Sequence, residues 1–198
     1  MANHLTTKAL TLNNDHQKCI SALLKDVSAD LEKMKTKDCS KDNSLHRLPS
    51  TCFELIRSLP GNKSCVDCKA KNPDWASVSY GALLCMNCAA KHRSLGVNYS
   101  KVRSLTMDHW SAQQILKMLE GGNQQLRMFF ERHELMENNA NRYFTKAARF
   151  YRRGMDQHVE KLAKRPYEGR KASRSGYSCS SNDRQQKQEQ SISTLCCT

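Results

Sequence analysis

Apolar residues at Ile20, Leu23, Leu24, Val27, Leu31 and Met34 recur at helical spacing and predict a helix from about Asp15 to Lys35. Such a stripe either packs on a neighbouring helix or domain, or forms an arm for a partner or second copy. Residues 36–48 are charged and polar without a period and read as a linker. Phe53, Leu55, Ile56 and Leu59 then mark a second helix. It is expected to open at Thr51, with Glu54 completing a capping box, and to stop at Pro60-Gly61. Val78 to Leu84 reads as short strands joined by a turn around Tyr80 and Gly81. A short helix follows through Ala89 to Ser94, closing near Gly96. The alternation from Val102 to Met107 predicts a strand. Ser111, with Gln114 as its box partner, should cap a helix that ends at Gly121-Gly122. Asn123 is expected to cap the next one, whose Leu126, Phe129, Phe130, His133 and Leu135 give an aromatic inner face. A last helix is predicted from Asn141 to Lys164, with Tyr143, Phe144, Ala147, Tyr151, Met155, Val159 and Leu162 inward and Pro166 as its stop.

This succession of short strands and helices is α+β. One domain spans 49–137, an N-terminal extension with its amphipathic helix occupies 1–48, and a separate helix occupies 138–166. Residues 167–198, rich in Ser, Gln, Arg and Lys, lack a core-forming pattern and are expected to be a disordered tail. Composition adds one thing to this picture. The net charge of +13 is unevenly placed, because residues 141–174 carry eleven Lys/Arg against Asp156, Glu160 and Glu168. A block of this kind is a solvated helix face, or it steers the chain to anionic lipid headgroups, an acidic partner or nucleic acid. No apolar run of membrane-spanning length and no signal peptide is apparent, so the expectation is a chain that is neither membrane-spanning nor secreted.

Ten cysteines then lie in a reducing compartment, and four of them are spaced for a metal. Cys65-x2-Cys68 and Cys85-x2-Cys88 are separated by sixteen residues. A redox pair or a disulfide framework is the alternative, but a thioredoxin-like motif needs only one such knuckle. Four thiolates at about 2.3 Å from a zinc ion close a tetrahedral shell with no open position, so the one zinc is structural and the chemistry comes from elsewhere.

The text around the knuckles supplies the direction. Trp75, Ser77, Gly81, the four cysteines, His92-Arg93, Leu95-Gly96, Ser100, Val102, Arg103-Ser104-Leu105 and Asp108-x-Trp110 closely resemble the catalytic domain of Arf GTPase-activating proteins. The resemblance runs from near Leu55 to about Leu135, and SVSYG, TMDHW and KMLEGGN look most like the Golgi-type subgroup. It departs mildly at Ala89-Ala90, where Ser-Gly is frequent, and at Asn98, where His is frequent. The resemblance implies a small zinc-stabilised domain, a short antiparallel sheet surrounded by helices. It also implies a GTP-bound Arf-family GTPase as partner, and Arg93 as the catalytic arginine finger inserted in trans. Trp75, Lys101, Arg103 and Asp108 are candidate partner contacts, and His92 is structural because the thiolates fill the metal shell. The expected location is cytoplasmic, peripheral on Golgi or vesicle membranes in vesicle traffic, with the basic helix toward an anionic surface.

A non-catalytic docking module and a nucleic-acid-binding zinc module are the competing functions. Nucleic acid is not the expected partner, because the knuckle region is nearly neutral, with Lys63, Lys69 and Lys71 against Asp67 and Asp74. At the terminus, Leu195 stands where a prenylation box needs cysteine, which leaves palmitoylation of Cys196 and Cys197 as a lipid route.

Overall fold

The computed structural model describes residues 21–35, 46–135 and 140–170. Helix α1 covers 21–35, and its stripe packs inward rather than standing free: Val27 and Leu31 are fully buried. Its first predicted residues, Asp15 to Ile20, lie outside the described residues, as do the tail from 171 onward and its terminal cysteines.

A three-stranded antiparallel sheet in the order β3-β2-β4 stands at the centre, built from β2 (Trp75–Ser77), β3 (Ala82–Leu84) and β4 (Val102–Ser104). Trp75 pairs with Leu84 on one side and Ser104 on the other. Around it stand α2 (Ser50–Ser58), α3 (Met86–Ser94), α4 (Ala112–Glu120), α5 (Asn123–Arg132) and α6 (Lys146–Ala163), with a 3-10 turn at Ala140–Phe144 leading into α6. The core joins the sheet to an aromatic layer in which Tyr80 lies 5.1 Å from Tyr143 and 6.1 Å from Tyr151 between ring centres. The β2–β3 turn closes backbone against backbone on the end of α4. Gly81 adopts φ +60°, and a Cβ there would stand 2.3 Å from the Lys117 carbonyl oxygen, so only glycine fits.

Several expectations need correction. Thr51 does not cap α2: the helix opens at Ser50 behind Pro49, and the Thr51 hydroxyl donates to Asp30 of α1 at 2.8 Å. Asn123 is the first residue of α5 rather than its cap. Its side-chain oxygen accepts from the Leu83 backbone N–H at 2.6 Å, and its amide donates to the Ser64 carbonyl at 2.6 Å. The buried start of the helix is served instead by Asn62, whose side-chain oxygen accepts from the Asn123 N–H at 2.7 Å, which leaves the Asn123 side chain for the strand and the knuckle loop. The strand expected from Val102 to Met107 stops at Ser104, because the Thr106 and Met107 N–H groups turn back onto the Ser104 hydroxyl. Part of the expected linker is β1 (His46–Arg47), paired with β5 (His109–Trp110). The last helix begins later than Asn141, at a Thr145 cap that accepts from the Ala148 N–H, and Phe144 is exposed. The first residues of the expected tail are held on the fold, with Tyr167 buried and Arg170 donating to the Gly121 carbonyl at 2.8 Å. The Ser111–Gln114 capping box is present in full.

Candidate functional site

The first knuckle is a tight loop. The Cys65 N–H donates to the Ala70 carbonyl at 2.8 Å, the Lys69 N–H to the Cys65 carbonyl at 3.1 Å, and Lys69 takes φ 63° to make the turn. The second knuckle opens a helix, with Cys85 as the N-cap of α3 and Cys88 inside its first turn. This brings the Sγ atoms of Cys65, Cys68, Cys85 and Cys88 within 4.8 Å of one another, with no disulfide among them. A tetrahedral zinc with bonds of about 2.3 Å would set neighbouring sulfurs about 3.8 Å apart, so the cluster fits that ion. Burial pushes the Cys65 and Cys88 thiols up, whereas a backbone N–H at Ala70 draws Cys68 down. The buried pair therefore needs a bound cation to persist as thiolates, which is what a structural metal provides.

Arg93 lies one turn beyond Cys88 on the same helix and is exposed. Its guanidinium carbon rests 4.2 Å from the ring centre of half-buried Trp75, so two residues expected at the site come together. Lys101 is exposed just before β4, and Arg103 is half-buried on it. Asp108 is partly buried at the end of the β4–β5 turn. Its carboxylate accepts from the Ser104 N–H at 2.6 Å and shapes the β4–β5 turn. Trp110 is fully buried, donating its indole N–H to the Ser104 carbonyl at 3.0 Å.

Beneath Arg93 lies a polar network that patterning had not revealed. His92 is 2% exposed, with Nε2 3.0 Å from Asp67 and Nδ1 2.7 Å from the Ser100 hydroxyl. Ser100 in turn bonds to Ser77 at 2.7 Å. Asp67, inside the first knuckle, also accepts from the Tyr143 hydroxyl at 2.5 Å and from the Arg142 guanidinium. Burial alone would raise the Asp67 carboxyl, but hydrogen bonds and charge from His92, Tyr143 and Arg142 outweigh it and hold it below the usual carboxylate range. An ionised Asp67 only accepts, so His92 Nε2 donates to it. The helix that carries Arg93 is thus gripped by two cysteines at its start and by His92 near its end.

Arg142 is 3% exposed, and Asp67 is its carboxylate partner. Removing that carboxylate would leave a buried cation uncompensated. Asp67→Ala is therefore expected to lower stability by about 3–5 kcal/mol, read by denaturant unfolding. A double variant with Arg142→Met should recover part of the loss. An Asp67→Ala loss under about 1 kcal/mol would show that the network carries little of the helix's support.

The ArfGap family model, described as a GTPase activating protein for Arf, matches residues 50–193. An ADP-ribosylation factor GTPase-activating protein 3 from Pongo abelii is 47% identical over 104 residues, 52% of this chain and 20% of that one. ADP-ribosylation factor GTPase-activating protein GCS1 from Saccharomyces cerevisiae is 44% identical over 80 residues, 40% of this chain and 23% of that one. The chain thus spans about a fifth of the length of these relatives. A Cryptosporidium parvum crystal structure, assigned as a GTPase activating protein for ADP ribosylation factor, superposes with a TM-score of 0.53. Its identity is 30%, over 56% of this chain and 90% of that one. The family model takes in well over half of the sequence, including both knuckles, the helix of Arg93 and the partners of His92, so the chain belongs to the ArfGap family.

Proposed function

We propose that this chain stimulates GTP hydrolysis on a GTP-bound Arf-family GTPase, with Arg93 supplied in trans. The observation that carries this reading is an exposed arginine on a short helix fastened at both ends, rather than on a loop. A small GTPase alone leaves charge building on the transferred phosphoryl oxygens without a counter-charge, and an arginine from a partner accelerates the step by about 10³ to 10⁵. The guanidinium suits this because it is charged at any working pH and offers several donors in a plane. A fixed cation also costs little reorganisation when the transition state forms. Zinc serves only as scaffold here.

Trp75, Lys101 and Arg103 are the partner contacts in this reading, the first on β2 and the others on β4 and the residue just before it. Asp108 contributes by holding the turn. In this reading the chain acts at Golgi or vesicle membranes, with the basic face of α6 toward anionic lipid. Among the described residues no helix is long and apolar enough to cross a membrane.

The test is single-turnover GTP hydrolysis by a panel of Arf-type GTPases, with and without anionic liposomes, in the presence and absence of this chain. Acceleration of at least one member is expected. Intrinsic rates throughout, with a stable complex still formed, would instead identify a docking module.

A further inference from the structure

On the α4–α6 side of the fold a cleft of about 420 Å³ is lined by Ser79, Asn98, Lys117, Arg149, Arg152, Arg153 and Asp156. Four cations face one carboxylate there. Three of the cations come from consecutive turns of one helix face: Arg149 and Arg153 are four residues apart, and Arg152 lies three from Arg149. Like charges at this spacing repel and cost the isolated helix stability, so an arrangement of this kind is relieved by an anion.

The four cations are not equivalent. Arg152 is held in place: it donates to the Tyr80 hydroxyl and to the Tyr143 carbonyl at 3.1 Å, and its guanidinium lies 5.5 Å from the ring centres of both Tyr80 and Tyr99. Lys117 forms an ion pair with Asp156. Arg149 and Arg153 are exposed and make no ion pair among the described residues. The site therefore has one pre-positioned guanidinium, two open ones and a lysine that can be shared. The Ser79 oxygen accepts from the Lys101 N–H at 3.0 Å, leaving its own proton for an acceptor in the cleft.

Planar guanidinium forks converging in a concave space recognise phosphate oxygens better than a flat surface charge does. A single phosphate would leave most of this cleft and its charge unmatched, whereas a ring bearing several phosphomonoesters would meet all four cations. We propose that this cleft is a binding site for an inositol polyphosphate headgroup, free or carried on a lipid. This sharpens the membrane part of the functional reading above and does not depend on Arg93.

The experiment uses the full zinc-loaded chain and measures binding of soluble inositol 1,4,5-trisphosphate by calorimetry, then sedimentation with vesicles. One set of vesicles holds phosphatidylinositol bisphosphate, and the other holds phosphatidylserine at matched charge. Saturable binding of the soluble headgroup is expected, weakened at least about tenfold in Arg149→Gln/Arg153→Gln, whose side chains are exposed and whose loss leaves the core intact. Asp156→Asn removes the one opposing carboxylate and is expected to tighten binding, an effect that misfolding cannot produce.

If the bisphosphate vesicles bind better than the matched ones and soluble headgroup competes, the ligand is a lipid. If the soluble headgroup binds and the two vesicles bind alike, it is a free inositol phosphate. No saturable binding, or unchanged binding in the double variant, overturns the site. So does a double variant that keeps headgroup binding but loses lipid-free GTPase stimulation, which would make the cleft a protein contact. Failure of GTP hydrolysis with headgroup binding intact would count against the role of Arg93 and not against this cleft.

Discussion

Replacing Arg93 with lysine is expected to lower the stimulated rate of GTP hydrolysis by about 10³, with zinc content and folding unchanged. Lysine keeps the positive charge, so long-range attraction to the GTPase and complex formation should survive. It loses the planar fork and most of the donors that would bridge phosphoryl oxygens. The change should therefore fall on the rate within the complex and leave the concentration needed for half-maximal stimulation almost alone. The side chain is exposed, and its guanidinium rests on the Trp75 face at 4.2 Å. A cation over an aromatic ring contributes about 1 kcal/mol or less at an exposed site, so unfolding should barely register the substitution. Single-turnover hydrolysis beside a denaturation curve separates the two effects. If the lysine variant retained activity within about tenfold of the parent, the site would be acting by general electrostatics and another group would have to meet the phosphoryl transition state.

The same rate should respond, less steeply, to the layer below Arg93. His92 is the next residue along the chain, and its ring is fixed between Ser100 and Asp67 while Arg142 and Tyr143 hold Asp67 from the far side. This network couples the first knuckle, the arginine helix and the 3-10 turn before α6. A finger that must place a guanidinium within a few tenths of an ångström gains from such fixed neighbours. Loss of Asp67 should thus act on activity through position rather than through chemistry.

Local signals carried the parts of this arrangement whose partners are close in sequence. The two knuckles were readable because metal ligation imposes a spacing that few other constraints imitate. The placement of Arg93 followed, since a helix opening at the second knuckle carries it at the next turn. The Ser111–Gln114 box was readable for the same local reason. Thr51 and Asn123 misled because each is a good cap by type, yet tertiary partners 21 and 40 residues away claimed their side chains. The Asp67 network had no comparable signal: His92 lies 25 residues from Asp67 and Tyr143 lies 76. The carboxylate between the first two cysteines was the one hint, but nothing in its spacing names a partner. Tyr167 was assigned to the tail by the polar composition around it, although it is buried beside Glu120.

Metal removal is the second change with a large expected effect. One knuckle loop and the start of α3 converge on four sulfurs, and the strands beside them are only three residues long. A structural zinc in a small domain contributes on the order of 10 kcal/mol of binding free energy that appears as folding free energy, comparable to the whole stability of an ordinary domain. Stripping the ion with a strong chelator should therefore unfold the region from Cys65 to Arg93 and abolish GTPase stimulation. Trp75 emission should shift as its packing is lost, and activity should return with added zinc. Cys88→Ser should reproduce the loss without rescue, because Cys88 is buried and a serine hydroxyl is a poor zinc ligand. Thiol labelling supplies the independent reading. Before chelation the four ligands should resist alkylation, including exposed Cys68, which as an unligated thiol would be the first to react. After chelation all four should label together. If Cys68 labelled at the rate of a free exposed thiol in the active protein, the cluster would not be holding a metal, and the support of Arg93 would have to rest on His92 and the sheet alone.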